Sequence, residues 1–201
     1  MSIFEEPVFE KPKPIIKEEV NAAEPVKEDL KQTVPETNDV PISLFDSFDD
    51  SNLDTRLLKP FDAKISEDQY ILSNELTLDV MIAATKDYKN KLLSQWDKLS
   101  QLSMHPTYGG KAALLNDGHL LVATNNIMIV EYDLKTKVGK INMVDAQEDL
   151  QKIAQLVFNK KMFVYAISRL ESVDLQQKYI NLKQIGKMPK PNTIEIKMIG
   201  E

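Results

Sequence analysis

The chain has 201 residues, of which 42% are hydrophobic and 28% charged, with a net charge of −6. That is the mix of a globular protein, with length for one or two domains. It has no cysteine, which excludes disulfides, thiolate-ligated metals and thiol nucleophiles. The two histidines, His105 and His119, lie far apart in sequence, so neither a metal centre nor any cofactor is expected.

No apolar run is long enough for a transmembrane helix, about 18 residues. The opening MSIFEEPVFE carries acids where a signal peptide carries bases, so a cytoplasmic protein is expected. Charge divides the chain sharply. Residues 1–60 hold 14 acids and 7 bases, a net of −7, whereas the other 141 residues hold 17 acids and 18 bases, a net of +1. Seven of the ten prolines and none of the six glycines fall in that first segment. Acidic, proline-punctuated and without apolar periodicity, residues 1–61 are expected to form a disordered tether. Such a coil spans roughly 40 Å.

Residues 62–185 are expected to form one folded domain. The 3.6-residue spacing of Leu78, Met81, Ile82, Tyr88, Leu92, Trp96, Leu99 and Leu102 predicts helix over 66–102, in one piece or two. Ser73 or Asn74 would cap the first part and Asp87 the second. Trp96 reads as a core anchor, with a partner contact as the competing reading. Pro106 and Gly109-Gly110 mark a turn before a short helix over Lys111–Asn116. Two strands follow, His119–Ala123 and Ile127–Tyr132, joined by Thr124-Asn125-Asn126 as a hairpin turn. Residues 134–142 suggest a short helix interrupted at Gly139. A stronger helix runs from Asp145 to about Asn159, a third strand from Met162 to Ile167, and a last helix from the cap Ser168 to about Leu182. In the tail, 186–201, the alternating run Thr193–Ile199 either adds a strand or docks on a partner. The order predicts an α+β fold, a small sheet with a β-hairpin and helices on one face.

Reactive motifs are missing. Gly109-Gly110-Lys111 lacks the earlier glycine and the following hydroxyl of a phosphate loop, and no nucleophile elbow, zinc-protease or calcium-loop motif occurs. No catalytic residue is assigned and no enzyme is expected. The folded part is near neutral. Lys178, Lys183, Lys187 and Lys190 read as a solvated face, so direct nucleic-acid contact is not expected.

Four segments carry a resemblance: Ser94–Leu99 with its tryptophan, Gly118–Asn126, Ile127–Tyr132, and Phe158–Ile167. Over about Ile71–Leu182 the chain resembles the C-terminal region of the DNA polymerase III gamma/tau subunit of Mollicutes and related low-GC bacteria. Asn159 stands where that family often has glycine. The resemblance implies a KH-like α+β domain without an enzymatic site. It would serve as a replisome scaffold linking the clamp loader to the replicative DNA polymerase and helicase. The contact surface expected on that reading is the last helix and tail: Tyr179, Ile180, Leu182, Ile185, Met188, Ile194, Ile196 and Met198, apolar and interleaved with lysines. Closing the core is the competing role for Tyr179, Ile180 and Leu182. Pro41-Ile42-Ser43-Leu44-Phe45 resembles the pentapeptide that bacterial proteins insert into the sliding clamp, with Pro41 in place of the leading glutamine. Ile42, Leu44 and Phe45 would fill the clamp pocket; the other reading is a chance apolar cluster. The alternative to the scaffold is an unrelated intracellular adaptor with the same α+β layout.

Overall fold

The computed structural model describes Phe48, residues 51–190 and residues 194–199. The expected clamp motif at Ile42, Leu44 and Phe45, and most of the expected tether, lie outside the described residues.

The first strands, β1 (Leu57–Pro60), β2 (Lys64–Ser66) and β3 (Gln69–Ile71), precede every helix. β1 corrects the expected boundary at residue 61. Leu58 is buried, and Lys161 Nζ donates to the carbonyls of Asp54 and Arg56, so residues 54–61 belong to the folded unit. β2 and β3 pair as an antiparallel hairpin where helix was expected. Their turn is Glu67-Asp68, both at positive φ (50° and 57°), the signature of a type I′ turn. Glutamate takes that conformation seldom, and the glycine usual in such a turn is missing, which hides the hairpin from pattern reading.

The helical region is three pieces: α1 (Asn74–Ala83), α2 (Lys86–Leu93) and α3 (Lys98–Leu102). Ser73 caps α1 by accepting from the Leu76 N–H at 3.1 Å. Thr85, not Asp87, caps α2, because its hydroxyl reaches the Tyr88 N–H at 3.3 Å while Asp87 sits in the first turn. Trp96 is half-buried against Phe158, ring centroids 5.7 Å apart. α4 (Gly109–Asn116) begins two residues earlier than expected. Gly109 is required there, since a Cβ would lie 2.5 Å from the Ser103 carbonyl oxygen.

The central sheet has strand order β4-β5-β6, with β4 (His119–Ala123) antiparallel to β5 (Ile127–Tyr132) and β6 (Phe163–Ser168) parallel to β5. The parallel crossover carries α5 (Lys135–Asn142), unbroken at Gly139, and α6 (Ala146–Phe158). α6 ends on Asn159 in the left-handed region, φ 54°, ψ 28°. Asparagine and glycine are the residues that tolerate this cap best.

The α+β class with its small sheet and hairpin is as expected; the layering differs. Helices cover both faces, not one. Leu120, Met128, Val130, Val164 and Ala166 pack against Leu99, Leu102, Ala112, Leu115, Leu150 and Ile153 of α3, α4 and α6. Ile127, Ile129, Phe163, Tyr165 and Ile167 pack against Val80 and Met81 of α1, Leu58, Tyr70, Leu72 and a further residue, Leu175. The reason is in the strands. Every residue of β6 and all but Glu131 of β5 are buried, and a parallel pair with two apolar faces needs cover on both.

Among the described residues the outer edge of β6 has no strand beside it. Two buried amides take that place. Asn142 Nδ2 donates to the Ala166 carbonyl at 2.9 Å and Oδ1 accepts from the Ala166 N–H at 2.8 Å. Gln147 Nε2 donates to the Val164 carbonyl at 2.7 Å, and Oε1 accepts from the Val164 N–H at 3.4 Å. Gln151, one turn further along α6, treats Leu58 of β1 in the same way, with both bonds at 2.7 Å. Buried backbone groups are thus satisfied by side chains, as a dry interior requires.

The last helix, α7 (Arg169–Gln184), opens on a capping box in which Ser168 and Glu171 exchange hydrogen bonds with each other's backbone N–H. It closes on a Schellman motif. Gly186 stands at φ 65°, Lys187 N–H donates to the Leu182 carbonyl at 3.0 Å, and Gly186 N–H donates to the Lys183 carbonyl at 3.3 Å. Finally β7 (Ile196–Ile199) pairs antiparallel with β1, Leu57 opposite Ile199 and Pro60 opposite Ile196.

Candidate protein-docking surface

α7 carries apolar residues on two opposite faces. Ser172, Leu175 and Tyr179 recur at spacings of three and four and pack on the sheet. Leu170, Val173, Gln177 and Ile180 repeat the same spacing about 150° around the helix. This outer stripe faces solvent: Leu170 is 68% exposed, Val173 56% and Ile180 44%. One buried stripe suffices to seat a helix. A second, uncharged and unpartnered, is the kind of surface that a protein partner covers.

Beside α7 lies a groove of about 590 Å³, lined by Met81, Ala84, Leu121, Val122, Tyr179 and Ile180, with Lys86 and Lys89 also on its wall. Its floor is the free edge of β4. The register of β4 against β5 shifts at Leu121, a bulge, and Lys89 Nζ donates to the Leu121 carbonyl at 2.8 Å. A bulge and a lysine together blunt an edge strand against further pairing. The groove therefore offers side chains, not a backbone ladder.

The eight expected contact residues divide three ways. Tyr179, Ile194 and Ile196 are half-buried and pack against the core beneath the sheet. Ile180, Ile185 and Met198 are exposed, at 44%, 61% and 58%. Leu182 and Met188 are half-buried. Only Tyr179 and Ile180 come together in the groove. Ile194 lines a second, smaller cavity of about 310 Å³ with Tyr88 and the β4–β5 turn. Sequence reading missed Leu170 and Val173. The signal was present, since their spacing to Ile180 is as regular as that of the buried stripe.

Among the described residues, no three His, Asp or Glu side chains gather to hold a metal ion, and no helix is long and apolar enough to cross a membrane. KH modules clamp nucleotide backbones with a GXXG loop, and no pair of the six glycines has that spacing. Comparison with family models, with curated proteins and with solved structures finds no match to this chain.

Proposed function

We propose that this chain is a non-catalytic scaffold segment of the replisome. It would act as the gamma/tau C-terminal region that it resembles, holding the replicative DNA polymerase or helicase to the clamp loader. The observation that carries the proposal is the outer stripe of α7, with Leu170, Val173 and Ile180 exposed beside an apolar groove. The resemblance adds support: its segments fall on the α2–α3 junction, the β4–β5 hairpin and β6, an order compatible with a KH-like layout. A partner laying an apolar helix along α7 would bury the stripe, with Asp174, Lys178 and Lys183 as a charged rim.

The test is direct binding of the full chain to purified replicative polymerase and to helicase, with Val173→Glu and Ile180→Glu as variants. The expected result is a complex with one of them, weakened at least about tenfold by either substitution, as for a central hot spot. A chain that binds neither protein refutes the scaffold reading, and a stable complex with another protein then favours the adaptor. Salt-sensitive binding of bare DNA would instead reinstate a nucleic-acid role.

A further inference from the structure

The β1–β7 ribbon has one closed edge and one open edge. The Phe61 N–H donates to the Glu195 carbonyl at 2.8 Å, and Leu58 turns its own N–H and C=O away from β7 toward Gln151. Antiparallel pairs alternate between bonded and unbonded positions. The bonded pairs are therefore Phe61–Glu195, Lys59–Lys197 and Leu57–Ile199. It follows that Ile194, Ile196 and Met198 point their N–H and C=O groups to the far side of β7. Among the described residues nothing bonds to them there. Gln151 closes the β1 edge, a bulge and Lys89 blunt β4, and two amides close β6. Among the described residues the outer edge of β7 has no such device, and it sits at the surface with Met198 58% exposed; the other open edge, β2, is only three residues long.

The residues on β7 are self-complementary. In an antiparallel pairing of two copies centred on Ile196, Ile196 meets its own equivalent and Ile194 meets Met198. These are the residues whose backbone groups point outward, so the register forms about six hydrogen bonds. Glu195 then stands opposite Lys197 twice, both in the unbonded positions where side chains approach most closely. Within one copy Lys197 faces a like charge, Lys59, and leans over the Phe61 ring, 3.8 Å from Nζ to the centroid. The second copy's Glu195 supplies the missing opposite charge. Neighbouring registers lose this match. Centring on Lys197 sets lysine against lysine. Centring on Met198 sets Lys197 against Ile199, with no opposite charge to meet it.

We propose that β7 is a homodimerisation edge, which joins two copies of this chain into a four-stranded antiparallel ribbon, β1-β7-β7-β1, about a twofold axis at Ile196. The interface is short, so the dimer is weak and reversible, in the micromolar range or above. It rests on backbone parity and charge pattern and is independent of the α7 surface.

Sedimentation velocity on the full chain, loaded from about 1 µM to about 300 µM, tests it. The expected result is a concentration-dependent monomer–dimer equilibrium. Lys197→Glu, which puts two like-charge pairs at the interface, should raise the dissociation constant about tenfold. The swap Glu195→Lys with Lys197→Glu should restore it, which a merely damaged monomer could not do. Ile196→Pro removes an outward N–H but none of the bonds to β1 and should abolish the dimer, while circular dichroism melting reports what the monomer loses with the half-buried isoleucine side chain. A chain that stays monomeric over the whole range overturns the proposal. So does a dimer that neither Lys197→Glu nor Ile196→Pro weakens, or a charge swap that fails to restore the wild-type constant.

Discussion

Asn142 is 5% exposed and bonds only to Ala166, on both its backbone groups. Replacing it with leucine keeps the side-chain volume and strands one buried N–H and one buried C=O. Each such group costs about 1–3 kcal/mol, while the added apolar burial returns about 1–2 kcal/mol. A net loss centred on about 2.5 kcal/mol is expected. With a urea slope of about 2 kcal/mol per molar, the unfolding midpoint should fall by about 1–2 M. Trp96, held against Phe158, supplies the fluorescence signal for that titration. Asn142→Asp sharpens the test. Its near oxygen still accepts from Ala166, but at neutral pH the other oxygen is a carboxylate facing a carbonyl. Burial and that repulsion raise the folded-state pKa above the unfolded value of about 3.9. A raised folded pKa favours the folded state below the unfolded pKa, and the benefit is lost as pH climbs through the folded value. The aspartate variant should therefore be weakest near pH 7 and recover toward pH 4, where the protonated carboxyl donates as Nδ2 does. A leucine variant within about 0.5 kcal/mol of wild type, or an aspartate deficit that ignores pH, would refute the view that side-chain amides stand in for a strand at the β6 edge.

Gly118→Ala would drive a Cβ into Val130 and to 2.7 Å from the Tyr132 ring, so a loss of about 1–3 kcal/mol is expected in the same urea titration. At the left-handed cap of α6, Asn159→Gly should change stability by under about 0.5 kcal/mol, while Asn159→Val should cost about 1–2 kcal/mol. Ser168→Ala removes the hydroxyl that caps α7 and should lower stability by about 1 kcal/mol, with the first-turn amides of α7 losing hydrogen-exchange protection first.

How much of this was legible beforehand depended on how local the cause was. The β4–β5 hairpin was readable because its strands are rich in β-branched residues and asparagine fills its turn. The Ser168 cap and the α6 stripe were equally local. β1 escaped notice because its four residues are fixed by a strand that begins 136 positions after its own last residue, Pro60, and by Gln151 from α6. Nothing nearby announces either partner. The β2–β3 hairpin was hidden by Glu67 and Asp68 in a conformation that normally calls for glycine or asparagine. Division of the helices between two faces is implicit in the nearly continuous apolar run of β5, since a strand with two apolar faces needs cover on both. On α7 the stripe through Leu170 and Val173 has the same spacing as the buried one, and spacing alone does not say which of the two faces the sheet. Polar residues at buried positions, Asn142, Gln147 and Gln151, carry no pattern that distinguishes them from surface amides until their partners are placed.

Leu57 and Ile199 form the outermost pair of the ribbon, so the strands leading into and out of the folded unit leave side by side. A load applied between the two ends pulls this pair apart head-on. It opens the ladder one rung at a time, which is the weakest way to stress antiparallel strands. β7 would peel away first, while the two bonds from Gln151 keep β1 seated on α6. Ahead of β1 the chain is held to the folded unit as well, by Lys161 at Asp54 and Arg56 and by Phe48 against the core, so the β7 end is the one that gives. Under tension such an arrangement would act as a fuse, a few residues yielding before the core beneath them.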